Sequence, residues 1–123
     1  MNTEGLKNFA TRYTAAWCSQ TPASVAAFFA EDGSLTVNDG EPAIGREAIT
    51  EVARGFMTAF PDLVVQMEEV VVEGDGAIYR WTLTGTNTGP DGTGNAVHIR
   101  GYEEWTIGAD GLIATSLGHF DEG

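Results

Sequence analysis

Glu103 stands where its segment calls for an apolar side chain. In AVHIRGYEEWTI, residues 96–107, Val97, Ile99, Gly101, Trp105 and Ile107 share one parity, and His98, Arg100, Tyr102, Glu104 and Thr106 share the other. Side chains in a strand alternate between the two faces, so Glu103 falls in the middle of the apolar set. A carboxylate between Ile99 and Trp105 loses hydration, which raises its pKa and favours the neutral acid. A neutral carboxylic acid can donate a hydrogen bond to a substrate oxygen. A bulge at Gly101 would instead turn Glu103 to water, and periodicity leaves both readings open.

Tyr13 raises a similar question, because it lies at the centre of an apolar helical stripe. A buried phenol needs a partner for its hydroxyl: a ligand oxygen in a cavity, or, in a plain core, a backbone group or a carboxylate. Asp39 closes LTVND ahead of GEPAIG and on its own reads as a turn residue, since Asn-Asp-Gly is strong turn chemistry. Trp81 and Phe120 read as pocket wall or core. Other chemistries lack their residues. His98, His119 and Cys18 have no metal-ligand spacing, GPDGTGN has neither the lysine nor the helix of a phosphate loop, and no nucleophile elbow is present.

The elements that would position these residues follow from periodicity. Leu6, Phe9, Ala10, Tyr13, Ala16 and Trp17 define an amphipathic helix from about Thr3 to Cys18. Thr21-Pro22 opens a short second helix reaching Phe29, EDGS stops it, and SLTVND reads as a short strand before a loop at Pro42. From Gly45 a third helix carries Ile49, Val52, Ala53, Phe56, Ala59 and Phe60 on one side, and Pro61 ends it. The period then becomes 2: Leu63 to Glu73, Ala77 to Thr88 with Ala77, Tyr79, Trp81 and Leu83 on one face, the 96–107 strand, and Leu112 to about Asp121. Three helices followed by a meander of long antiparallel strands is an α+β arrangement, a curved, mostly antiparallel sheet wrapped round the helices with a concave cavity.

Composition narrows the function classes. The 123 residues suggest one domain, spanning 1–123 and able to bury roughly two-thirds of its unfolded surface. Six Lys and Arg stand against 18 Asp and Glu, a net charge of −12, which repels phosphate backbones and anionic lipid and argues against nucleic-acid or membrane-surface partners. The single Cys18 fits a reducing compartment. With no basic start, apolar leader or membrane-length apolar run, the expectation is a cytoplasmic protein.

On these residues a family resemblance rests. RYTAAWCSQTPASVAAFFAEDGSLTVNDGEPAIGREAI resembles the N-terminal half of the bacterial ketosteroid isomerases, and YRWTLTGTNTG with GYEEWTIGADGLI resembles the SnoaL-like polyketide cyclases. Both lie in the nuclear-transport-factor-2-like superfamily, whose cone-shaped, cystatin-like α+β barrel matches the element order above. By that resemblance the isomerase's oxyanion-hole tyrosine falls on Tyr13, its catalytic aspartate on Asp39, and its second oxyanion donor, an acid held protonated, on Glu103. The implied activity is acid–base enolisation of an apolar, steroid- or polyketide-like ketone by an isomerase or cyclase. Asp39 would remove a proton, and Tyr13 and Glu103 would bond the enolate oxygen. Phe28, Phe56, Trp81, Trp105, Ser116, Gly118 and Phe120 would line the pocket. No metal or organic cofactor is implied. A homodimer is, with Tyr102 and His98 either in the contact or on a solvated face. Two alternatives remain: a non-catalytic binding or accessory protein, and a limonene-epoxide-hydrolase-like enzyme. The latter needs a last-strand acid where Gly118 stands, and an Arg two residues before an acid, whereas Arg100 precedes Gly101 and Tyr102.

Overall fold

Asn2 starts the first helix by accepting a hydrogen bond from the Gly5 amide at 2.7 Å. In the computed structural model, which describes residues 2–120, that helix, α1, spans Thr3–Cys18 and buries Leu6, Phe9, Ala10, Tyr13, Ala16 and Trp17, the stripe expected from spacing. α2 (Pro22–Ala26) opens on its proline and ends sooner than expected. α3 (Arg46–Ala59) begins at Gly45, whose φ of 90° favours glycine, and buries Ile49, Ala53 and Met57. Each large apolar side chain so buried contributes roughly 1.5–3 kcal/mol.

Six strands form one sheet: β1 (Phe29–Val37), β2 (Ala43–Ile44), β3 (Val64–Glu73), β4 (Gly76–Thr86), β5 (Ala96–Ile107) and β6 (Ile113–Phe120). Their order is β2-β1-β6-β5-β4-β3. The sheet is curved but does not close into the expected barrel, because β2 and β3 are its two edges. The α+β class and the predominance of antiparallel pairing hold. α1 packs on β3, and α3 against β1 and β2.

Three details depart from the sequence reading. EDGS does not separate helix from strand. It lies inside β1 as an irregularity between the pairs Phe29↔Ile113 and Ser34↔Thr115. Gly33 permits this, since a Cβ there would meet the Ile113 carbonyl oxygen at 2.9 Å. The Pro42 loop also contains the short strand β2, paired with Ser34 and Leu35. β1 runs parallel to β6, a pairing that joins distant segments through a long crossover and leaves no local signal. Asp121, the expected last residue of the final strand, lies outside the described residues.

Candidate active site

The register of β5 decides where Glu103 points. Pairing with β4 runs without interruption through Trp81↔Gly101 and Tyr79↔Glu103, so no bulge turns the carboxylate outward. Glu103 is 7% exposed and Trp105 4%. The apolar parity of the strand is its inner face, with the carboxylate on it.

Once buried, the carboxyl group collects donors. Ser116 Oγ donates to Glu103 Oε1 at 2.7 Å, Trp105 Nε1 at 2.9 Å and Tyr13 OH at 3.0 Å. Three elements therefore converge on one oxygen: α1, β5 itself and β6. Oε2 has only a longer contact, 3.3 Å, with the same phenol. Burial pushes the Glu103 carboxyl above the ordinary range, and the donors from Trp105, Ser116 and Tyr13 oppose that shift without cancelling it. Oε1 is saturated, so Oε2 is the oxygen free to carry, accept or deliver a proton.

The donors are themselves fixed by aromatic packing. The Tyr13 ring meets Trp105 edge-on at 5.2 Å, Tyr79 at 5.4 Å and Phe28 at 5.7 Å. Tyr79 stacks on Trp105 at 4.8 Å and shares a hydrogen bond with Thr14. Burial, then the neighbouring Glu103 charge, holds the Tyr13 phenol well above its usual pKa, and burial does the same to Tyr79. Both phenols therefore act as neutral donors across the physiological range.

Glu103 lines an apolar cavity of about 60 Å³. Trp17, Leu35, Val65, Tyr79, Leu83, Glu103 and Gly118 are its buried floor and walls, and the half-buried Val37, Phe56, Trp81 and Phe120 form its rim. Ligand pockets for drug-sized molecules hold about 300–1,000 Å³, so this cavity takes a small compound rather than a fused-ring system of steroid size. Gly118, across from Glu103 in the β5–β6 register, leaves space that a side chain would fill. Among the described residues no three His, Cys, Asp or Glu side chains gather to hold a metal ion.

The expected site residues divide accordingly. Tyr13 and Glu103 meet, but they bond each other, so the phenol supports the carboxyl group instead of facing a ligand beside it. Phe56, Trp81, Gly118 and Phe120 line the cavity, whereas Phe28 and Trp105 pack behind Tyr13 and the fully buried Ser116 serves Glu103. Asp39 is not brought to the site. It is exposed in a turn where Asn38 takes φ 52°, the Asn38 amide donates to the Gly118 carbonyl at 2.7 Å, and Asn38 Oδ1 accepts from the Phe120 amide at 2.9 Å. Turn chemistry there outweighs the position at a strand end. Trp17, Leu35, Val37, Val65, Tyr79 and Leu83 belong to the lining although the sequence reading assigned them no such role. Tyr79 and Leu83 share the parity of Trp81, which was the available signal.

Comparison with known proteins agrees with this architecture. Residues 10–116 match the SnoaL-like domain, and the chain belongs to that family. No curated protein matches it. Similar solved structures include a protein of ketosteroid isomerase-like fold from Catenulispora acidiphila in complex with trimethylamine (17% identity, 93% of this chain and 85% of that one, TM-score 0.81). Others are a candidate SnoaL-like polyketide cyclase from Jannaschia sp. (20%, 93% and 86%, 0.74) and the epoxide hydrolase/cyclase-like enzyme SalBIII of salinomycin pyran-ring formation (16%, 99% and 95%, 0.82). At such identities the likeness is one of fold.

Proposed function

We propose that this protein is an acid–base enzyme that enolises a small apolar carbonyl compound, with Glu103 as the proton-transfer residue in place of Asp39. The observation that carries this reading is the buried carboxyl whose Oε1 is saturated by Tyr13, Trp105 and Ser116 while Oε2 is left for a ligand. In the ionised form Oε2 takes a proton from the carbon beside the carbonyl, giving an enolate and a neutral Glu103. The same proton then returns to that carbon or to another along the conjugated system, so nothing else is consumed. Raised proton affinity makes Glu103 a stronger base than a surface carboxylate and brings it closer to the working pH. Isomerisation and cyclisation both begin with this step. Among the described residues that line the cavity Glu103 is the one carboxylate, so they do not supply the second acid that epoxide hydrolysis calls for.

The test is exchange of ketone α-protons in heavy water, followed by NMR over a panel of small ketones. Glu103→Gln should lose roughly 10²–10⁴-fold of the exchange rate, and Asp39→Asn should retain it. Exchange that survives Glu103→Gln and disappears in Asp39→Asn would overturn the assignment.

A second reading, a non-catalytic binder of small amines, is favoured by one feature. Trp17, Phe56, Tyr79, Trp81 and Phe120 surround a carboxylate, an arrangement suited to an alkylammonium ion, and the Catenulispora protein of similar fold was crystallised with trimethylamine. An amine needs ionised Glu103, so its affinity should rise with pH and be lost in Glu103→Gln. The proposal also includes a homodimer acting in the cytoplasm. It would be formed on the outer sheet face, where Tyr102 stacks on His119 at 4.7 Å and Val64, Val71 and Leu117 are exposed. A monomer by light scattering would remove the dimer.

A further inference from the structure

We infer that the indole N–H of Trp81 is the donor that anchors the ligand's oxygen and, during reaction, the enolate. This rests on the acid–base reading above and adds its second reactive group. Among the described residues Trp81 Nε1 is the one buried side-chain nitrogen or oxygen without a hydrogen-bond partner. Tyr13, Trp105, Ser116, Thr82 and Tyr79 all have theirs. A buried donor left unpaired is destabilising and rare in folded proteins, so its persistence beside a cavity points to a partner supplied from outside.

The placement of the ring supports the same role. Trp81 lines the cavity that Glu103 lines. The pairs Trp81↔Gly101 and Tyr79↔Glu103 make Trp81 and Glu103 diagonal neighbours on the inner face, with stems about 7–8 Å apart. Gly101 and Gly118, opposite Trp81 and Glu103 respectively, put no side chain between or beside them. The indole is held over Gly101, where a Cβ would lie 2.5 Å from Trp81 Cζ2, and Phe120 meets it edge-on at 5.9 Å. Nε1 is two bonds from Cζ2 along the same ring edge, so the glycine that admits the ring also sets where its N–H lies.

The two groups then divide the chemistry of one small carbonyl ligand. Trp81 holds the oxygen, and Glu103 Oε2 reaches the adjacent carbon. As the proton leaves, negative charge develops on the oxygen that the N–H already faces, in an apolar cavity where such a bond is strong. Tyr13 cannot fill this role, because its hydroxyl is committed to Glu103. The expected ligand is therefore a small ketone or aldehyde, in preference to a hydrocarbon of the same shape.

The experiment compares cyclopentanone with methylenecyclopentane, its oxygen-free counterpart, on uniformly ¹⁵N-labelled protein with assigned indole resonances. Cyclopentanone should move the Trp81 N–H proton downfield in the wild-type protein, and methylenecyclopentane should not. Trp81→Phe, which keeps an aromatic wall, should bind cyclopentanone about tenfold more weakly and methylenecyclopentane equally well. A Trp81 N–H that stays put at saturation, or at the highest soluble cyclopentanone concentration, overturns the inference. So does unchanged cyclopentanone affinity in a folded Trp81→Phe. Failure here is separable from failure of the acid–base reading. If exchange is lost in Glu103→Gln while the Trp81 resonance is unmoved, the anchor alone falls. If the resonance moves while Glu103→Gln keeps full exchange, the proton-transfer assignment falls instead.

Discussion

Replacing Glu103 by Gln and by Leu should separate its role as an acceptor from its role as a titrating group. Gln keeps an oxygen for Ser116, Trp105 and Tyr13, which donate to Oε1 at 2.7, 2.9 and 3.0 Å, and its amide N–H₂ takes the place of Oε2. Leu removes the acceptor and orphans three buried donors at about 1–3 kcal/mol each. Even at the low end that is on the order of 3 kcal/mol, a large share of the roughly 5–15 kcal/mol by which domains are stable. At pH 4, where a Glu103 carboxyl raised by burial is neutral, Gln and wild type should be close in stability and Leu about 3 kcal/mol or more below them. As pH rises above the ordinary glutamate value of about 4.3, the unfolded chain releases this proton before the folded one does, so wild type loses stability relative to Gln. The slope is about 1.4 kcal/mol per pH unit and ends at the folded-state pKa. Urea unfolding of the three proteins from pH 4 to 8, followed by circular dichroism, measures both effects. A Leu variant within about 1 kcal/mol of Gln would refute the convergence of donors. A wild-type-minus-Gln difference that stays flat across that range would refute the buried, proton-retaining carboxyl.

Tyr13→Phe keeps every ring contact but removes a donor that lowers the Glu103 pKa. It should cost about 1–2 kcal/mol in unfolding experiments and move the acidic limb attributable to Glu103 to higher pH in a pH–rate profile. Gly118→Ala should fold normally, because its Cβ would come no closer than 3.4 Å to Thr36 O and 3.9 Å to Glu103 Cγ, yet bind cyclopentanone more weakly through lost cavity volume, as calorimetry would read. Gly101→Ala should lower the melting temperature instead, since its Cβ would meet the His119 carbonyl oxygen at 2.6 Å and Trp81 Cζ2 at 2.5 Å. Overpacking of this kind costs about 1–3 kcal/mol.

Much of the site was legible because period and burial coincide. The α1 stripe through Tyr13 is the stripe that the helix buries, and the β5 parity that put Glu103 among apolar neighbours is the inner face of the sheet. What the sequence could not show was long-range. The parallel β1–β6 pair, which places Gly118 near the turn after β1, joins residues some 80 positions apart and leaves no period to read. Asp39 misled because a strand end and an Asn-Asp-Gly turn occupy the same letters, and the backbone follows the turn. Tyr13 was legible as a buried phenol in need of a partner, but that the partner is Glu103 follows only when α1 crosses the sheet. Trp81 read as pocket wall or core, and its unpaired N–H emerges only from three-dimensional packing over Gly101.

The most direct measurement is an NMR titration of the Glu103 side-chain carboxyl carbon in the wild-type protein, assigned by its loss in Glu103→Gln. A buried proton carrier requires a midpoint above the ordinary glutamate value of about 4.3, shifting higher still in Tyr13→Phe. A midpoint at or below that value, unaffected by Tyr13→Phe, would mean that the three donors hold a permanent anion, and would contradict Glu103 as the residue that carries the proton.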